Sequence, residues 1–282
     1  MKSRAYIAVC IGTLLILTGI LAGGVEAAAP PFANPPSSYL LQVNGETFRE
    51  RSPNLRRAPA SLTKIMTALI VLEHCRSMDE VVTVSAGAAR ETGSRIGLRR
   101  GDRLTVRDLL AATLMASAND AARALADHVG GTQKAFVKRM NERARSLKLQ
   151  NTQFTNACGH DHRNLYSSAS DLAFLAERAL RNPVFADLVS RPSMRISTVK
   201  GNRSFRLKNK NRLIGRYPGA RGVKTGTTPR AGQCLVALAQ RDDKRVLLVM
   251  MNSRSRWRSA PAMLDAAFAA SSTARREDEG KR

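Results

Sequence analysis

Three short polar motifs, spread over more than half of the chain, place the strongest constraint on how it folds. Ser61-Leu62-Thr63-Lys64 comes first, Ser117-Ala118-Asn119 follows about 50 residues later, and Lys224-Thr225-Gly226 lies about 100 residues beyond that. Each motif alone is weak, because Ser197-Thr198-Val199-Lys200 and Ser52-Pro53-Asn54 fit two of the patterns by chance. The assignment of a function therefore depends on the order, the spacing and the local context of the three motifs.

The residue types in these motifs suit nucleophilic catalysis by a serine. A serine hydroxyl is a poor nucleophile at neutral pH and needs a nearby base. The chain has no Gly-x-Ser-x-Gly or similar serine–histidine motif. Lys64 lies one helical turn after Ser61, and burial together with a second cation, Lys224, favours its neutral form. For an isolated Ser-x-x-Lys, a helix cap followed by a solvated lysine remains the alternative.

The sequence around the motifs resembles the serine-type D-Ala-D-Ala carboxypeptidases, the family of small penicillin-binding proteins. The resemblance covers nearly all of the chain between Tyr39 and Ala270. It rests on four segments in the family's order, which are residues 57–67, 110–122, 166–172 and 222–228.

The resemblance implies roles for the first two motifs. Ser61 would be the acylated nucleophile and Lys64 its general base. Ser117 would relay a proton to the leaving D-alanine nitrogen. Asn119 would hold the substrate amide and Lys64 through its side-chain amide.

The third motif would bind the substrate. By the same resemblance, Lys224 and Thr225 would hold the terminal carboxylate, and Gly226 would let the peptide backbone approach closely. The N–H groups of Ser61 and Thr227 would form the oxyanion hole. Lys210 stands where the family often has arginine, so it would be a weaker, monodentate carboxylate partner.

The resemblance implies an enzyme that removes the terminal D-Ala from peptidoglycan stem peptides and is acylated by β-lactam antibiotics. A DD-endopeptidase that cuts peptidoglycan cross-links is the alternative, and an inactive wall-binding protein is a second one. Class A β-lactamases add a glutamate that activates the deacylating water. Neither Glu142 nor Glu177 has that sequence context, so efficient β-lactam hydrolysis is not expected. No cofactor and no metal site are predicted.

The N-terminus has the pattern of a secretory signal peptide. Lys2 and Arg4 precede an uncharged apolar run at residues 5–21, and small residues follow it. An uncleaved anchor is the alternative, since the run is borderline in length for a membrane span. We assign residues 1–29 to the signal peptide, 30–37 to a Pro-rich lead, 38–270 to the DD-peptidase domain, and 271–282 to a disordered charged tail. The enzyme is expected to be exported, either periplasmic or associated with the cell wall.

The formal net charge of the whole chain is +24, and cleavage after residue 27 would remove two basic residues and one acidic residue. The low aromatic content of 5% and the export signal argue against nucleic acid as a partner. Anionic envelope polymers suit the compartment, although a basic, well-solvated surface is an equal alternative. Three cysteines, Cys75, Cys158 and Cys234, would remain after processing, so at least one stays outside an internal disulfide. His160 and His162 lie near Cys158 and could form a weak metal site, but a loop with coincidental histidines is the favoured interpretation.

Apolar periodicity predicts an α/β fold of the α+β type. A hairpin is predicted around Asn44-Gly45 near the N-terminus, three strands follow residue 220, and helices dominate between them. This pattern predicts one antiparallel sheet flanked by helices plus an all-helical subdomain at roughly residues 80–185. The resemblance implies the β-lactamase/transpeptidase-like version of this fold. Two local assignments are a strand at 95–98 and a helix at 104–117.

Overall fold

Strands from both ends of the chain form the central sheet. The structure is a computed structural model that describes residues 35–279, so the predicted signal peptide lies outside the described residues. The strands are β1 (Ser38–Val43), β2 (Glu46–Arg51), β3 (Val81–Thr83), β4 (Arg103–Thr105), β5 (Ser193–Ser197), β6 (Ser204–Lys208), β7 (Ala220–Thr228), β8 (Gly232–Arg241) and β9 (Lys244–Ser253). Five of them form an antiparallel sheet in the order β2-β1-β9-β8-β7, while β3 pairs with β4 and β5 with β6.

Helices cover the sheet on both faces. A short 3₁₀ helix (Ala60–Thr63) leads directly into α1. The α-helices are α1 (Lys64–His74), α2 (Ala86–Ala89), α3 (Val106–Leu114), α4 (Asn119–Gly130), α5 (Gln133–Ser146), α6 (Ala169–Leu180), α7 (Pro183–Ser190) and α8 (Arg256–Glu279). The last helix continues beyond residue 270, into the segment whose composition predicted disorder.

The central strands are buried on both faces, which explains why they are continuously apolar. In β8, Val236 and Leu238 belong to the main core that includes α1 and α6, whereas Leu235 and Ala237 face the smaller core under α8. Successive side chains of a strand point to opposite faces, so one apolar run serves both cores.

The predicted fold class is confirmed, with an antiparallel sheet and flanking helices. The helical subdomain is not entirely helical, because β3 and β4 form a two-stranded ribbon in it. The predicted helix at 104–117 is shorter, since Thr105 caps it by accepting from the Asp108 N–H.

The strand predicted at 95–98 is wrong. The Asp120 carboxylate accepts from the backbone N–H groups of Ile96, Gly97 and Leu98, so a buried side chain replaces a neighbouring strand as their partner.

Helix α7 was not predicted, although its start has a clear signal. The Asn182 side chain accepts from two N–H groups of the first turn, and Pro183 occupies the first helical position.

Within residues 35–279, no helix combines the length and the apolar character needed to cross a membrane.

Candidate active site

Ser61 and Lys64 meet where the 3₁₀ helix becomes α1. Lys64 is fully buried, and its Nζ donates to Ser61 Oγ at 3.0 Å. The same ammonium group donates to Asn119 Oδ1 at 2.7 Å and to the Cys158 carbonyl at 2.6 Å. Three acceptors thus fix the amine beside the serine hydroxyl, as a general base for that hydroxyl must be.

Burial controls the protonation of Lys64. Removal from water disfavours the charged form and lowers the pKa of Lys64 to about 8, with the positive charge of Lys210 as a smaller contribution. A substantial fraction of the amine is therefore neutral near pH 8, which lets it accept a proton from Ser61.

Ser117 and Lys224 form a second serine–lysine pair in the same cleft. Lys224 is buried in β7, and its Nζ donates to Ser117 Oγ at 2.9 Å. Burial, followed by repulsion from Lys64 and Lys210, holds the pKa of Lys224 well below its usual range. Ser117 has a φ of 57°, a left-handed conformation that is unfavourable for a residue with a side chain and is typical of functional sites.

Asn119 connects Lys64 to the neighbouring loop. It is the first residue of α4, its Nδ2 donates to the Thr92 carbonyl at 2.6 Å, and its backbone N–H donates to the Ser94 carbonyl at 2.6 Å. These bonds orient the amide with Oδ1 toward Lys64.

Strand β7 lies directly against the residue that carries the nucleophile. A Cβ on Gly226 would lie 3.0 Å from the Ser61 nitrogen and from the Pro59 oxygen, so any larger residue would have to push this backbone away from the strand. Gly159 packs equally closely against the other side of this turn. A Cβ there would lie 2.0 Å from the Ala60 oxygen, so a residue with a side chain does not fit. Thr225 is buried, whereas Thr227 is exposed at the cleft.

Lys210 reaches across the cleft entrance. Its Nζ donates to Ser94 Oγ at 2.6 Å, and its backbone N–H donates to the Met115 carbonyl. It lines the same cleft of about 360 Å³ as Ser61, Ser117 and Thr225. The structure therefore brings all the predicted site residues to one place.

Arg256, at the start of α8, is a site residue that the sequence analysis missed. Its Nη1 donates to the Gly226 carbonyl at 2.5 Å and to Thr227 Oγ1 at 2.8 Å. It thus holds the outer end of the third motif and lines the cleft together with Trp257. No local motif marks it, since its partners lie about 30 residues away.

Two glutamates considered from the sequence lie outside the cleft. Glu142 on α5 is 3.8 Å from Lys138, and Glu177 on α6 is 2.5 Å from Arg245. The three described cysteines are free thiols. Cys158 contacts the site through its carbonyl, and its thiol donates to the Asn119 carbonyl at 3.4 Å.

Comparison with known proteins agrees with this geometry. The D-alanyl-D-alanine carboxypeptidase family, peptidase family S11, matches residues 37–255. A D-alanyl-D-alanine carboxypeptidase of Bacillus subtilis (strain 168) is 37% identical over 242 residues, which are 82% of this chain but 61% of the relative. A D-alanyl-D-alanine endopeptidase of Pseudomonas aeruginosa is 32% identical over 85% of this chain and 80% of its own length.

Solved structures show the same fold. The crystal structure of the Streptomyces K15 DD-transpeptidase superimposes with a TM-score of 0.78 at 32% identity, over 86% of this chain and 100% of the other. Since the family pattern covers most of the chain and includes all three motifs, the chain belongs to the D-alanyl-D-alanine carboxypeptidase family of serine peptidases.

Proposed function

We propose that this protein is an exported serine DD-carboxypeptidase that removes the terminal D-Ala from peptidoglycan stem peptides and is acylated by β-lactams. The observation that carries the proposal is the Ser61–Lys64 pair, with the amine 3.0 Å from the hydroxyl and its pKa lowered to about 8. The intact second pair, Lys224 and Ser117, argues against an inactive wall-binding protein.

The proposed reaction proceeds through an acyl-enzyme. Neutral Lys64 takes the proton of Ser61 as Oγ attacks the carbonyl carbon of the penultimate D-Ala, and the N–H groups of Ser61 and Thr227 stabilise the oxyanion. As the C–N bond breaks, the proton held by Lys64 is passed through the Ser117 hydroxyl to the leaving nitrogen, which returns Lys64 to its neutral form. Lys64 then takes a proton from water as the water attacks the ester, and returns it to Ser61 Oγ as the shortened peptide leaves.

The carboxylate end of the substrate would lie against the cationic side of the cleft. Lys224 and Thr225 bind the terminal carboxylate in this proposal, and Lys210 adds a weaker contact. Arg256 holds the strand that carries this contact surface.

Acylation should depend on pH through Lys64. Only the neutral amine accepts a proton, so the acylation rate constant with penicillin should rise with pH and reach half its plateau near pH 8. Because the Lys210 charge lowers the pKa of Lys64, Lys210→Gln should move this midpoint to higher pH. Stopped-flow measurement of the acylation rate across the pH range checks both the midpoint near pH 8 and its shift in the Lys210→Gln variant. A flat profile would exclude Lys64 as the titrating base.

A cross-link endopeptidase is the second candidate, and the open end of the cleft favours it. Arg212 and Trp257 both line this cleft, and the exposed Arg212 guanidinium lies 5.8 Å from the Trp257 ring centroid. Among the described residues the Arg212 guanidinium has no hydrogen-bond or ion-pair partner. It is therefore available to a leaving group larger and more anionic than D-alanine.

Digestion of purified peptidoglycan, analysed by mass spectrometry, separates the two activities. Carboxypeptidase action releases D-Ala from pentapeptide stems, whereas endopeptidase action converts cross-linked dimers to monomers. If Arg212 recognises the acceptor peptide, Arg212→Ala should slow dimer cleavage about tenfold and leave D-Ala release unchanged. Equal loss of both products would contradict an acceptor-side role, and absence of both from the unmodified enzyme would contradict the proposed function.

We also propose that anionic envelope polymers bind the surface of the processed protein through its net charge, which is +23 once the +24 of the whole chain loses two basic residues, Lys2 and Arg4, and one acidic residue, Glu26. Attraction between exposed charges weakens as the screening length falls from about 10 Å at 0.1 M salt to about 3 Å at 1 M. Co-sedimentation with isolated cell walls should therefore decrease strongly over this range. Cleavage of a short soluble peptide should change far less, because Lys64 and Lys224 are buried. Wall binding that persists at high salt would exclude the electrostatic attachment.

A further inference from the structure

A cysteine, a glutamate and a histidine meet at the C-terminal ends of the two helices that carry Lys64 and Asn119. Cys75 is the residue at the C-terminal end of α1, Glu80 directly precedes β3, and His128 lies in the last turn of α4. One ligand atom of each lies within 4.8 Å of the other two. His128 Nε2 is 2.7 Å from Glu80 Oε1.

The spacing of these atoms is close to that of a zinc site. Bonds of about 2.0–2.3 Å in a tetrahedral arrangement place neighbouring ligand atoms about 3.5 Å apart. From separations of up to 4.8 Å, the ligand atoms would have to approach by at most about 1.3 Å, while His128 Nε2 and Glu80 Oε1, now 2.7 Å apart, would separate by about 0.8 Å. The side chains of Glu80 and His128 are 39% and 26% exposed, so an ion reaches them from solvent, and water completes the fourth position.

The local electrostatics also favour a cation. Helices α1 and α4 both end at this cluster, and a helix C-terminus carries partial negative charge. Among the described residues Glu80 pairs only with His128, which leaves its negative charge largely uncompensated.

We propose that Cys75, Glu80 and His128 bind one Zn²⁺ ion. The Cys75 thiol releases its proton to solvent as the sulfur coordinates the metal. Sulfur and imidazole ligands suit Zn²⁺ and disfavour the hard cations Mg²⁺ and Ca²⁺, which prefer oxygen.

A second cluster of the same residue types serves as a contrast. Glu91, Cys158 and His160 also lie within 4.8 Å of one another. There, however, Arg123 already pairs with Glu91 at 3.2 Å, and the Cys158 thiol is buried. A cation in that cluster would be opposed by the fixed guanidinium charge, so we assign the zinc site to the Cys75 cluster.

The proposed metal would connect two helices that also meet at the active site. Helix α1 carries Lys64 at its N-terminal end, and α4 carries Asn119 at its N-terminal end. The metal would join the opposite ends of the same two helices. It therefore stabilises the fold without contacting the substrate cleft.

The test combines zinc binding with thermal unfolding of the metal-free protein. Isothermal titration with ZnCl₂ should show one equivalent bound, and Zn²⁺ at about 100 times its dissociation constant should raise the Tm by roughly 5–10 °C. Co²⁺ should give a thiolate-to-metal charge-transfer band. Mg²⁺ should give neither effect.

Variants identify the ligands. Cys75→Ser and His128→Ala should each weaken zinc binding at least about tenfold, and Cys75→Ser should lose the cobalt band. The neighbouring His74→Ala and the second-cluster variant His160→Ala should bind zinc as the unmodified protein does. The penicillin acylation rate should be unchanged in all of them. Absence of zinc binding, or undiminished binding in both the Cys75 and His128 variants, would overturn the proposal whatever the enzyme's activity.

Discussion

Replacement of Ser61 by alanine is expected to abolish the covalent penicillin adduct. The Ser61 hydroxyl lies 3.0 Å from the Lys64 amine, and the proposed acyl bond forms on this oxygen. Loss of the nucleophile removes the whole covalent pathway, so catalysis on a D-Ala-D-Ala peptide should fall by at least about four orders of magnitude. Intact-mass analysis after incubation with penicillin measures the adduct directly.

Ser197→Ala is the matched control for this experiment. Ser197 begins the chance match to the first motif and lies in β5, which pairs with β6 and not with the central sheet. This variant should be acylated at the normal rate, and both variants should keep the Tm of the unmodified protein within a few degrees. An adduct on the Ser61→Ala protein would disprove the assignment of the nucleophile.

The sequence points to a candidate site because its motifs are local. Ser61 and Lys64 are one turn apart, so a helix start is enough to bring them together. The strand carrying Lys224 was also predictable, since β8 and β9 are continuously apolar and β7 pairs with β8.

The contacts that complete the site depend on the tertiary fold. The Cys158 carbonyl reaches Lys64 across 94 residues, and Arg256 reaches the Gly226 carbonyl across 30. A backbone carbonyl has no sequence signature, and an arginine in an Arg-rich chain does not stand out. The sequence does not reveal the cluster of Cys75, Glu80 and His128 either, because its members come from three different parts of the fold.

The error at residues 95–98 shows how a local pattern misleads. Alternation of apolar and polar residues there has the form of a strand, but Asp120 supplies the hydrogen-bond acceptor that a second strand would supply. The segment begins beside Asn119, whose N–H donates to the Ser94 carbonyl. A polar side chain buried by the fold thus shapes one wall of the cleft.

Lys224→Ala is expected to cost on the order of 2–4 kcal/mol in transition-state binding, which is about 30- to 1000-fold in kcat/KM. Lys224 is 1% exposed and donates to Ser117 Oγ and to the Thr225 carbonyl, so its loss removes a desolvated cation and releases the relay serine. Burial lowers the pKa of Lys224, but a carboxylate bound beside it favours the charged form again. The resulting charge pair in a water-excluded site is stronger than one in solvent.

Lys210→Ala should cost less, and this comparison tests which cation binds the carboxylate. Lys210 is exposed, its contact across the cleft is with Ser94, and solvent screens its charge. With a D-Ala-D-Ala peptide as substrate, the kcat/KM of the Lys224→Ala variant should therefore be well below that of the Lys210→Ala variant. A peptide with its terminal carboxylate amidated should narrow the difference, because the charge that Lys224 recognises is then absent. The reverse ranking would place the carboxylate on Lys210, at the mouth of the cleft, and leave Lys224 as a partner of Ser117 alone.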